Sequence, residues 1–348
     1  MATALPTTYT TLADWAKLQD PDGSIATVAE LLSQMNEIIA DMPFIEGNLP
    51  TGHRGSVRTS LPTPTWRRLN QGIDPSKSTS AQVTDTCGMQ TALAVVDRAL
   101  ADLNGNSAAW RAQENKAFIE GMTQDMAAQI MYGNSATSPE KMMGLTPRYN
   151  TLSTSTSQTA NNVVNGASSG STTSTSIWLV GWGPDKVTGI FPKGSMAGLK
   201  DEDLGEDWAF DANSKRYRAY HTLYEWKAGL HVRDWRYIVR IANLETGSGT
   251  AGFTSAAPVD LVDCIDQAIA KIPNLNACRP VLYMNRKAKR FLNKQRNYGV
   301  QASSTVNLTT IRRSDSGSQR GVIQRFEDYD GIPIKIVDQI LNTESTIA

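Results

Sequence analysis

Residues 48–88 read NLPTGHRGSVRTSLPTPTWRRLNQGIDPSKSTSAQVTDTCG, and this stretch decides how the rest of the chain is understood. Its first extended run, Gly52 to Thr59, carries Val57 as its only large apolar residue, and its second, Thr65 to Leu69, is little richer. Gly52, Gly55, Pro62, Pro64, Gly72 and Pro75 mark turns, whereas the Thr, Val and Trp residues between them favour extended backbone. A projecting two-stranded hairpin is the simplest reading. Alone in water such a hairpin buries too little to offset the ordering of its backbone, so it should lie on something else. Arg54, Arg58, Arg67, Arg68 and Lys77 outnumber Asp74 and Asp85, which suits an acidic resting place. The competing reading is a plain surface loop.

With 348 residues, the chain is long enough for a substantial core and two or three lobes. Lys plus Arg and Asp plus Glu each total 34, so no overall basic charge points to nucleic acid. The 3 cysteines, Cys87, Cys264 and Cys278, lie far apart with no CxxC pair, which fits a reduced setting and argues against a disulfide framework or zinc ribbon. The 3 histidines, His53, His221 and His231, leave little material for a metal site, and structural roles are the better reading. No metal or cofactor is expected. The N-terminal stretch lacks the basic start and apolar run of a secretory signal, and no apolar stretch is long enough to span a membrane. A soluble protein made in the cytoplasm, with no membrane partner, is the expectation.

Beyond the arm, Val28, Leu31, Leu32, Met35, Ile38 and Ile39 recur at helical spacing, and a weaker helical stretch is expected near 89–102. From Ser107 to Tyr132 no proline intervenes and Trp110, Ile119, Met122, Met126 and Ile130 form one stripe. At ~1.5 Å per residue this helix is roughly 39 Å long. Its outer face offers Glu114, Glu120 and Asp125 beside Arg111 and Lys116. Residues 151–176 are dominated by Ser and Thr and read as an exposed loop; no Gly-x-Ser-x-Gly frames a nucleophile. Ile177–Trp182 and Lys186–Phe191 are expected to pair across Gly183-Pro184-Asp185, and Tyr217–Trp226 with Leu230–Ile241 to form a long hairpin. The acidic run Lys200–Asp207 between them misses calcium-loop spacing and reads as a solvated or partner-facing turn. Pro258 is placed to start a helix, Pro280–Met284 is a buried strand, and Asn285 is placed to cap a helix basic from Arg286 to Arg296. Gly331–Val337 closes the series as a strand.

This order of parts resembles the major capsid proteins of tailed bacteriophages, most of all those of short-tailed phages. The resemblance rests on Asn48–Arg54, Trp66–Gly72, Ser76–Ser78, Gly189–Ser195, Asp203–Glu206 and Asp234–Tyr237, and covers nearly the whole chain. It implies an α+β fold of the Hong Kong 97 type, divided as follows. Residues 1–47 would be an N-terminal arm with a short helix, and 48–88 the E-loop. Residues 89–150 would begin a P-domain whose spine helix is 107–132. The Ser/Thr-rich loop 151–176 would come next, then further P-domain strands over 177–257 with the hairpin 217–241. An A-domain would fill 258–348. In the commoner order of that family the Gly-apolar-Pro-apolar strand precedes the P-domain hairpin; here Gly331-Ile332-Pro333-Ile334 ends the chain, which implies a permuted connectivity.

The implied function is structural and non-catalytic. Copies of the chain, as hexamers and pentamers, would form an icosahedral shell around double-stranded DNA held without sequence specificity. Scaffold, portal and decoration proteins would be further partners, and the virion capsid the final location. Arg54, Arg58, Trp66, Arg67, Arg68 and Lys77 are the candidate contacts on the arm, with Glu114, Glu120 and Asp125 as their candidate acceptors on a neighbour. An encapsulin-type protein compartment is the near alternative. A hydrolase would need a nucleophile motif, metal cluster or phosphate loop that the sequence does not offer. A soluble nucleic-acid-binding protein would rest on the 286–296 helix alone.

Overall fold

The computed structural model describes residues 34–102, 107–166, 173–210, 214–247, 252–253, 255, 258–302 and 328–348. A short helix α1 (Ile38–Asp41) and strand β1 (Phe44–Glu46) lead into the arm, built from β2 (Gly52–Ser60) and β3 (Thr79–Thr86). Strand β4 (Gly88–Asp97), one turn of helix α2 (Arg98–Ala101) and the long helix α3 (Ser107–Tyr132) follow. Next come β5 (Val163–Asn165), β6 (Ser174–Trp182), β7 (Val187–Phe191), β8 (Leu199–Phe210), β9 (Arg216–Val232) and β10 (Ile238–Glu245). The last part alternates helix and strand: α4 (Leu261–Lys271), β11 (Arg279–Met284), α5 (Arg286–Ala302), β12 (Asp328–Tyr329) and β13 (Ile332–Ile336).

One 11-stranded sheet runs through the body in the order β12-β13-β11-β6-β7-β9-β4, with β10 and β5 beside β6, β1 on β7 and β8 on β9. Its centre is β6, every residue of which is buried, with β10 antiparallel along one edge and β11 along the other. Helix α4 covers part of this sheet with Leu261, Cys264, Ile265 and Ala268, the spacing of one helical face, and Asp260 caps it by accepting from the amides of Val262 and Asp263. Asn285 caps α5 as the sequence predicts, its Oδ1 accepting from Ala288 N at 2.8 Å. The long helix α3 has the predicted bounds, and its buried Met122, Met126 and Ile130 join the main core, while Phe118 stacks on Tyr224 of β9 at 6.1 Å. Ile119 is 40% exposed and therefore off the buried stripe; the side chain of Trp110 lies outside the described residues, as do Val28, Leu31 and Leu32 of the predicted N-terminal helix.

Two buried charge clusters tie the chain ends to this body. Asp41 of α1 accepts from Arg279, Tyr283 and Lys335, which fastens the N-terminal segment to β11 and β13. Glu344 accepts from Arg240 at 2.9 Å, from Ser176 at 2.7 Å and from Tyr132 at 2.5 Å, so β10, β6, α3 and the C-terminal segment meet at one carboxylate.

Several expected elements fold differently. The region 89–102 is mostly strand: its Ala- and Leu-rich composition favours a helix, but ten consecutive pairings of β4 with β9 override it. Tyr217–Trp226 and Leu230–Ile241 are not a hairpin, because β9 runs unbroken through Lys227-Ala228-Gly229. Gly229 is there for close approach, since a Cβ would stand 2.8 Å from the Thr86 carbonyl oxygen. The real hairpin partner of β9 is β8, and the acidic run Lys200–Asp207 is thus part of an edge strand, where charge discourages unwanted pairing. Ile177–Trp182 and Lys186–Phe191 meet only through the parallel bridge Trp182↔Val187, because β10 and β11 already occupy both edges of β6. The Ser/Thr-rich region is less exposed than expected: Asn162, Val163 and Val164 are buried beside β10, and Ser174, Thr175 and Ser176 already belong to β6. Helix α4 begins after Asp260 and not at Pro258. Among the described residues, no helix is long and apolar enough to cross a membrane.

Candidate assembly surface

The arm is a separate two-stranded sheet in which β2 and β3 pair antiparallel from Gly52↔Thr86 to Ser60↔Thr79. The predicted second run, Thr65 to Leu69, is not its return strand. Residues 61–78 instead form an irregular, wholly exposed tip, since Pro62 and Pro64 cannot donate to a ladder and nothing flanks Trp66. The Thr- and Val-bearing strand β3 takes that role. Trp66 is 100% exposed and Leu69 91%, with Leu61 and Ile73 also well exposed, so the tip carries unburied apolar surface together with Arg67, Arg68 and Lys77.

The root of the arm is the opposite. Asp85 of β3 is buried and its carboxylate gathers three donors: Arg148 Nη2 at 2.8 Å, His231 Nδ1 at 2.8 Å and Val232 N at 3.1 Å. Burial pushes the Asp85 carboxyl up, but the His231 and Arg148 contacts and the Val232 amide outweigh it and hold the group below its ordinary range. His53 faces Asp85 across the strand pair and packs edge-on against His231 at 4.6 Å. Gly52 lets β2 close on β3, as a Cβ there would lie 2.1 Å from the Asp85 carbonyl oxygen. Before the strand begins, the Asn48 side chain both donates to Arg54 O and accepts from Arg54 N at 2.8 Å. The arm is therefore held firmly at one end and offers the other to solvent.

Of the six arm residues singled out in the sequence, Arg67, Arg68, Trp66 and Lys77 are on the tip, Arg58 is on the exposed outer half of β2, and Arg54 is near the root, its Nε donating to Thr84 Oγ1 at 3.1 Å. The α3 carboxylates lie elsewhere on the same subunit. Glu120 accepts from Gln34 N and from Gln124 Nε2, and Asp125 accepts from Gln90 Nε2 and Gln129 Nε2. Glu114 is half-buried on the same helix. Arg111 of α3 pairs with Asp203 of the acidic strand at 2.7 Å, so the two outer surfaces are joined. Sequence reasoning missed the root cluster of Asp85, Arg148, His231 and His53. A hint was available in Asp85, the lone charged residue of an otherwise uncharged Thr/Ser/Gln/Val strand, but its partners are 63 and 146 positions away.

Among the described residues, no group of three or more His, Cys, Asp or Glu side chains converges as metal ligands would. A family model described as Major capsid protein GP7 matches residues 20–348. The chain belongs to the major capsid protein GP7 family. The cryo-EM structure of bacteriophage Epsilon15 contains a chain similar to this capsid protein at 34% identity, with a TM-score of 0.75, covering 100% of this chain and 99% of that one. The α+β fold of this capsid protein is accordingly of the Hong Kong 97 type, and its place is the phage virion. A capsid chain of a native GTA particle aligns over 65% of this chain and 95% of its own at 10% identity and TM-score 0.45. The SrpI encapsulin of Synechococcus elongatus PCC 7942 aligns over 67% and 95% at 10% identity and TM-score 0.40. A comparison with curated proteins finds no match.

Proposed function

We propose that this capsid protein is the non-catalytic building block of an icosahedral shell enclosing double-stranded DNA, and that its hairpin arm is the element joining neighbouring copies. Hexamers and pentamers of the chain are the assembly units, and scaffold, portal and decoration proteins are its further partners. In family terms, residues 48–88 act as the E-loop, 107–132 as the spine helix, the β4, β8 and β9 layer as the core of the P-domain, and the region from 258 onward as the A-domain. With the strand bearing Gly331-Ile332-Pro333-Ile334 placed after β9, this reading keeps the permuted connectivity as part of the proposal.

The observation that carries this reading is the contrast within the arm: a buried, multiply bonded root and a tip with Trp66 and Leu69 almost completely exposed. A monomer gains nothing from holding apolar and basic groups out in water, whereas a neighbour that covers them does. The proposed acceptors are Glu114, Glu120 and Asp125 of the neighbour's α3. The amide donors already on Glu120 and Asp125 leave carboxylate lone pairs for an incoming guanidinium. Each exposed ion pair contributes little, so assembly depends on many such contacts together with the apolar tip. Charge reversal by R67E/R68E tests the proposal: the variant should fold normally and fail to form closed particles, and unimpaired particle formation would sink the role given to the arm.

A further inference from the structure

The root of the arm contains more than an anchor. His231 gives Asp85 its Nδ1 side at 2.8 Å, so in the neutral ring Nε2 is the lone-pair nitrogen, and that atom is buried without a partner. It lies under Gly55, where a Cβ would come within 3.0 Å of it. His53 lies against it, centroid to centroid at 4.6 Å, and His53 Nδ1 is also without a partner. Two imidazoles thus touch at the point where β2 and β3 rest on β9, and neither of the unpartnered nitrogens has an acceptor to which an added proton could be donated.

The charges around the pair come from every element that meets there. Among the described residues, Asp85 on β3 is the one carboxylate hydrogen-bonded to either ring, and it is shared with Arg148. Arg233, just past the end of β9, acts on His53 through its charge, and its own counter-charge, Asp185, lies in the loop before β7 at 2.5 Å. Cys87 adjoins Asp85 as a neutral thiol, its ionisation pushed up to about 11 by burial and then by Asp85. Arg54 on β2 points to Thr84 on the outer side. A proton added to His53 finds no acceptor at Nδ1 and sets a charged ring against His231 and within the field of Arg233, with Asp85 already shared with Arg148.

On the reading of the arm as the assembly element, we propose that His53, packed against His231, forms a pH-sensitive latch at its root, which holds the arm in place while His53 is neutral and loosens it when His53 is protonated. Burial, then His231 and Arg233, lower the affinity of His53 for a proton below its ordinary value of 6.5, while Asp85 opposes them. The sign follows. A histidine whose folded-state pKa is depressed favours the closed root fully above pH 6.5, and that contribution is lost as pH falls through 6.5 to the lower folded value.

Hydrogen exchange on the full-length chain at about pH 7.5 and about pH 5.5, corrected for intrinsic rates, tests the latch. Protection of the backbone amides in Gly52–Val57 and Val83–Thr86, relative to those of β6, should drop by about threefold or more at the lower pH. H53Q, which cannot charge, should abolish that pH-dependent drop. H53K, which carries a permanent charge, should show a loosened root already at the higher pH. Equal loss in H53Q and the parent chain, or no loss in the parent chain, overturns the latch. Particle formation at the higher pH separates the two proposals: if no particles form yet the root loosens as described, the shell reading fails and the latch stands.

Discussion

Replacing Asp85 with Asn keeps the shape of the side chain and removes one charge from a site where three donors converge. The Asp85 and Arg148 side chains are 6% and 17% exposed, so the pair is largely shielded from water. Removing one member of a buried pair costs about 3–5 kcal/mol, because the partner is left without compensation. Arg148 also donates to the carbonyls of Gly144, Met143 and Leu230, and the Asn oxygen can still accept one donor, which reduces the loss to about 2–4 kcal/mol. The penalty falls on the seat of the arm, since Arg148, His231 and Val232 all belong to the body. Hydrogen exchange is the suitable assay: protection in β2 and β3 near the root should fall by roughly 30- to 1000-fold while β6 is unaffected. The Asp85 carboxyl is held below its ordinary value of 3.8 in the folded protein, so its contribution is complete above pH 3.8 and fades as pH falls through the lower folded value. In D85N that acid-dependent component should vanish. Root protection within twofold of the parent chain would show that Asp85 does not fasten the arm, and the reasoning would fail.

Glu344→Gln removes the charge that balances Arg240, whose side chain is 2% exposed, and should lower stability by about 3–5 kcal/mol with a clear drop in Tm by calorimetry. Gly52→Ala sets a Cβ 2.1 Å from the Asp85 carbonyl oxygen, a clash with backbone that no side-chain rotation relieves, so it should disturb the arm root in exchange measurements more than Gly55→Ala, which meets only the His231 ring at 3.0 Å.

How far the sequence spoke depended on whether a segment's neighbours were close in the chain. Helix α3 was legible to the residue because no proline interrupts Ser107–Tyr132 and Gly133-Asn134 ends it, and the Asn285 cap was legible because its partner is three positions away. Strand β4 was not, since Gly88–Asp97 is extended only because β9, more than a hundred residues later, pairs with it. Lys227-Ala228-Gly229 resembled a turn for a similar reason: the glycine serves a crossing by Thr86 that no local pattern announces. In the arm, the polar composition and the basic side chains were evident, but Pro62 and Pro64 moved the return strand from Trp66 to Thr79. The root cluster was invisible because Asp85 gains its meaning only from Arg148 and His231.

On the proposed function, the core that the arm lacks is another copy of the same chain. Negative-stain electron microscopy of the purified full-length protein tests it most directly. Closed, hollow particles of uniform size are expected, absent in R67E/R68E; a parent chain that stays monomeric at high concentration, with its Trp66 tip still in water, would refute it.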